Sequence, residues 1–111
     1  MRLVRSRSAE DTRPMLTHIV IWKYNADASP ADRDEHIRAL RLLAEIIPEV
    51  HSLAVGADVL RLERSYDTGL VATFDDRAAL ERYNTHPAHQ EVVALGRRLA
   101  AHVASVDFED A

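Results

Sequence analysis

The sequence predicts an α+β fold in which four antiparallel strands carry helices on one face. Three observations predict it. The periodicities along the chain run in the order β-α-β-β-α-β, the split βαβ arrangement. The 111 residues make one domain, and the 47% that are apolar can fill a single core but not two. The first strand is apolar on both faces, as a strand covered on each side must be.

The elements follow in order. Met1 to Pro14 carry Arg2, Arg5, Arg7 and Arg13 among small and acidic residues with little apolar content, and residues 1–14 read as a disordered basic tail. Met15 also reads as a second possible start, and the domain as 15–111. The run Leu16-Thr17-His18-Ile19-Val20-Ile21-Trp22-Lys23-Tyr24 is β-branched and aromatic at strand length. Ser29-Pro30-Ala31-Asp32 then supplies an N-cap, a proline at the first helical position and an acid at the third. The helix it opens has the stripe Ile37, Leu40, Ala44, Ile47 with Leu43 beside it, and Pro48 ends it.

His51 to Val59 alternates with period two, and Gly56 within it is expected to mark a bulge or a close backbone approach. A polar connection leads to the strand Tyr66 to Phe74, expected to pair antiparallel with the one before. Asp75-Asp76 caps a short helix with Ala79, Leu80 and Tyr83, broken at Thr85-His86-Pro87 because the residue before a proline disfavours the α region. A further helix restarts at Pro87 with the stripe Ala88, Val92, Leu95, Leu99, and a last strand is expected near His102 to Phe108.

Helices on one side bury one face of such a sheet. Ile19, Ile21 and Val71 on the other face would then be wetted, and the sequence predicts a homodimer, sheet against sheet. Lys and Arg total 14 against 18 Asp and Glu, a formal charge of −4, which argues against a nucleic-acid binder that neutralises phosphates. Cysteine is absent, which removes disulfides, zinc–cysteine sites and thiol chemistry and fits the cytoplasm. No run approaches the ~20 apolar residues of a membrane span. Six histidines raise the question of a metal, but Pro87 between His86 and His89 spoils a helical ligand face and no acidic partner stands at ligand spacing, so neither metal nor cofactor is expected. His36, His51 and His102 read as ordinary surface or strand residues.

From about Met15 to Phe108 the chain resembles the stress-responsive A/B barrel (Dabb) family. The resemblance rests on Thr17-His18-Ile19-Val20-Ile21-Trp22-Lys23-Tyr24, on Ile47-Pro48-Glu49-Val50 with Val55-Gly56, on Tyr66 and Phe74, and most specifically on His86-Pro87-Ala88-His89. It implies a ferredoxin-like monomer that pairs with a twin as a dimeric α+β barrel. Many such proteins are small stress-induced dimers. A plant member is a polyketide cyclase whose catalytic tyrosine and histidine match Tyr83 and His89, and His18 matches a pocket residue. A further pocket histidine of that cyclase is matched by Thr68.

Two functions follow as expectations. The first is a homodimer that binds a small apolar or aromatic compound between sheet and helices, with His18, Val20, Trp22, Leu70 and His86 as binding residues. The second is a cofactor-free polyketide cyclase or lyase, with His89 as general base and Tyr83 as its partner; a cofactor-free monooxygenase is a third reading. His89 lies in the first turn of a helix, where the dipole disfavours a second proton on imidazole, and a neutral imidazole suits proton abstraction next to a carbonyl. The same residues also admit a plain reading: His86 as a helix cap, Tyr83 as core, His18 as a hydrogen-bonded interior residue.

Overall fold

In a computed structural model, residues 2–5 and 14–110 are described. Eight elements succeed one another: β1 (Arg2–Val4), β2 (Met15–Tyr24), α1 (Pro30–Ile46), β3 (Val50–Ala57), β4 (Thr68–Phe74), α2 (Arg77–Thr85), α3 (Pro87–Leu99) and β5 (Ala100–Asp110). The strands form one antiparallel sheet in the order β1-β3-β4-β2-β5. Without β1 this is the ferredoxin-like order, with the first and third of the four strands inside and the second and fourth outside.

The additional strand β1 departs from the expectation of a disordered tail over residues 1–14. Leu3 faces Leu53 and packs on the core, and the backbone N–H of Arg5 donates to the His51 carbonyl. One apolar side chain with an open sheet edge beside it suffices to seat three residues. Residues 6–13 of that expectation lie outside the described residues.

Alternation along β2 turns Leu16, Val20, Trp22 and Tyr24 toward the helices, where they are buried with Leu53, Val55, Leu70, Ala72 and Phe74. The stripe read for α1 is the one it buries. His36 differs from the expected surface residue: it is completely buried beside Ile37 because it falls at the edge of that stripe. A second expectation also fails. Gly56 sits in regular ladder opposite Gly69, and a Cβ there would meet no atom within 4 Å; the register shifts occur instead at Val50/Ser52 and Lys23/Tyr24.

Both halves of a capping box start α1. Ser29 Oγ accepts from the Asp32 backbone N–H at 3.1 Å, and Asp32 returns a carboxylate oxygen to the Ser29 N–H at 3.3 Å. Ser29→Ala should lower stability by about 1 kcal/mol, read as a lower urea midpoint at unchanged slope; an unmoved midpoint would show that the box does not stabilise the helix.

Among the described residues no helix covers the other face of the sheet. Thr17, Ile19 and Ile21 of β2 stand in register with Phe108, Val106 and Ala104 of β5, and Ile19 and Ile21 face Val71 and Gly69 of β4. Val71, Val106 and Phe108 are 40%, 53% and 45% exposed. Ile19, Ile21, Ala54, Gly56, Gly69 and Val71 together line an open hollow. Among the described residues no helix is long and apolar enough to cross a membrane.

Candidate functional site

The site grows out of the break between α2 and α3. Pro87 stops α2, and the His86 ring then caps α3 by accepting the Ala88 N–H on Nδ1 at 3.0 Å. That N–H is the one a continuous helix would have given to the carbonyl of Asn84. The freed carbonyl is taken instead by the His89 ring, whose Nδ1–H donates to it at 3.1 Å, and by the Gln90 side-chain amide. The hydrogen bond settles the tautomer of a neutral His89: Nδ1 carries the proton and Nε2 keeps its lone pair. Burial pushes the His89 pKa below the usual imidazole value, against an opposing pull from the Asn84 carbonyl, with His18 and His86 nearby lowering it further. At neutral pH the ring is therefore a base in its uncharged form.

Tyr83 lies under this ring, their centroids 4.4 Å apart, and also packs on Phe74 at 4.9 Å. It is 1% exposed, and burial raises its pKa, so its hydroxyl stays protonated and can only be a donor or an acceptor of neutral hydrogen bonds. His18 completes the aromatic cluster, 6.2 Å from Tyr83 and 6.2 Å from Phe74. Its Nδ1–H donates to the Asp107 carboxylate, which the β2–β5 register places directly opposite. A ring held this way presents Nε2 in a single orientation.

Between α3 and the β2–β5 pair runs an open cleft of about 300 Å³. Its walls are mostly apolar, with Val20, Trp22, Leu40, Val92, Val93 and Val103, and His18, His89, Asn84, Ser105 and Arg97 supply the polar groups. Of the residues expected at a site, His18, Val20, Trp22 and His89 thus share one cavity. Tyr83 backs the wall through its contact with His89 without lining the cleft. His86 is a helix cap, and Leu70 is buried in the core between Val20 and Val55. Among the described residues no three His, Asp or Glu side chains converge as metal ligands.

Sequence reasoning missed Asp107, Asn84 and Arg97. Asp107 lies 89 positions from its partner, and only the pairing register reveals it, although the alternation of the last strand already put it on the face of Val103 and Ser105. Asn84 acts through its backbone, which no side-chain pattern announces. Arg97 could have been found by helical spacing, eight residues and about two turns beyond His89.

Comparison with known proteins places these features in a wider set. The model of the stress responsive A/B barrel domain matches residues 16–110. An uncharacterized protein of Streptomyces coelicolor is 33% identical over 100 residues, covering 86% of this chain and 99% of its own. A dimeric ferredoxin-like protein of unknown function from Thermobifida fusca superposes with a TM-score of 0.83 at 26% identity, covering 96% of this chain and all of its own. The hydroxynitrile lyase of Passiflora edulis shares the fold, with a TM-score of 0.80 at 18% identity over 87% of this chain and 94% of its own.

Proposed function

The chain belongs to the stress responsive A/B barrel domain family, and from that premise we propose that it works as a cytoplasmic homodimer which binds a small apolar or aromatic compound in the cleft between α3 and the sheet. The cleft carries this reading. It joins six apolar side chains to a few polar groups gathered around His18 and His89, the composition of a small-molecule site. The homodimer reading is supported by the bare apolar face of Ile19, Ile21, Val71, Val106 and Phe108 and by the dimeric relative from Thermobifida fusca.

Trp22, the sole tryptophan, lines the cleft and reports on it. Titration with substituted phenols and aryl ketones should give a saturable change in its fluorescence, and Val93→Phe, which fills the cleft, should weaken binding by about tenfold or more. No response from the folded wild-type protein would remove this function.

A second reading is favoured by one observation, the fixed Nε2 lone pair of His89. A neutral base at an apolar cleft, backed by the Tyr83 ring, can take a proton from carbon next to a carbonyl. In deuterated buffer the protein should then exchange the α-hydrogens of a bound aryl ketone, with His89→Ala slowing exchange by about a hundredfold or more. Because the pKa of His89 is lowered, the rate should hold steady below pH 6.5, the ordinary imidazole value, and fall only as the pH drops through the depressed one. Equal exchange by wild type and His89→Ala would eliminate the catalytic reading and leave binding intact.

A further inference from the structure

We infer that the ligand of this cleft is a carboxylate, held by Arg97 at the end away from the histidines. The inference rests on the cleft being the binding site and names the class of compound it takes.

The cleft has two electrically different ends. At one end stand His18 and His89, with Asp107 bonded to His18. From there α3 runs along the cleft through Val92 and Val93 to Arg97. Eight residues separate His89 from Arg97, ~12 Å of helix axis at the standard rise. The sheet gives the same length independently: from His18 to Trp22 is four residues, ~13 Å of strand. The two measures share a direction, because the backbone of Gly96, next to Arg97, lies against Trp22, with the indole nitrogen 3.4 Å from where a Cβ would stand.

The trough between these ends is apolar, with Val20, Val92, Val93 and Trp22 along it and Val103 opposite Trp22 on the neighbouring strand. Asp107 repels an anion at the histidine end, while the Arg97 guanidinium offers a paired set of donors to one at the other. Among the described residues no carboxylate forms an ion pair with Arg97. An anionic molecule is thereby accepted in one orientation and rejected in the reverse one. Its carboxylate meets Arg97, an alkyl or aryl body covers the valines and Trp22, and a hydroxyl at the far end donates to an Nε2 lone pair of His18 or His89.

The test compares phenylhexanoate with its methyl ester, following Trp22 fluorescence in the full-length protein at low salt. The acid should bind about tenfold more tightly than the ester, the scale of one charge-assisted hydrogen-bonded pair at a partly exposed site. Arg97→Gln should bring the acid down to the ester while leaving the ester unchanged, and Arg97→Lys should keep part of the difference. Equal affinity of acid and ester in the wild type, or equal loss of both in Arg97→Gln, would overturn the assignment to Arg97 while the cleft stands as the binding site. Silence of Trp22 toward both compounds would overturn the cleft reading and this inference with it.

Discussion

Ile21→Lys should convert a dimer at micromolar concentration into a folded monomer, with self-association weakened by about a thousandfold. A two-fold interface contains each substitution twice. Every copy loses the burial of an isoleucine, about 1.5–3 kcal/mol, and places an ammonium where water is excluded, so a total near 4 kcal/mol is a conservative sum and corresponds to that factor. The chain itself should tolerate the change, because Ile21 stands on the face opposite the helices and outside the core. Val59→Lys makes a matched control: the same charge enters a loop position that is 84% exposed, and association should be unaffected. Sedimentation or light scattering over a concentration series reads both. A wild type that stays monomeric throughout, or an Ile21→Lys protein that dimerises as well as wild type, would refute the sheet-to-sheet pairing.

Acid should destabilise the fold through His36. This ring is wholly buried; Nδ1 pairs with the Tyr24 hydroxyl at 2.8 Å, which pairs in turn with Thr68 Oγ1 at 2.9 Å. Nε2 faces Gly96 with no hydrogen-bond partner among the described residues. A lone pair left there costs less than an N–H would, so the neutral ring donates from Nδ1 through Tyr24 to Thr68. Burial lowers its pKa from 6.5 to about 4. The unfolded chain therefore binds a proton that the folded one refuses, and stability falls as the pH drops from 6.5 toward 4, by about 3 kcal/mol in all. That is a large share of the ~5–15 kcal/mol that holds a domain of this kind together. His89, lowered by burial as well, adds in the same direction. Urea midpoints at several pH values should fall less steeply in His36→Gln than in wild type, whatever the difference between them at pH 7. Parallel slopes would exclude His36 as the source.

Much of the fold was legible because its signals are local. The cap at Ser29, the prolines that open α1 and α3 and the stop at Pro48 act within a turn of the chain, and the alternating strands declared their faces without knowledge of their neighbours. His36 was misread for the same reason. A histidine at the margin of a helical stripe is polar by type, and its burial depends on Trp22, Tyr24 and Gly96 closing around it from two other elements. The strand at Arg2–Val4 was hidden because three residues carry no period, and their partner is an edge some fifty positions away.

The candidate site divides along the same line. Residue type and helical spacing nominated the candidate residues, since Pro87 and the histidines around it are neighbours in the chain. Their arrangement was a tertiary matter. Strand register brought Asp107 to His18, the helix break released the Asn84 carbonyl to His89, and the packing of α3 over Trp22 set Arg97 at the far end of the cleft. Periodicity in one dimension determines which way a side chain points. Only the closing of distant segments onto one another determines what it meets.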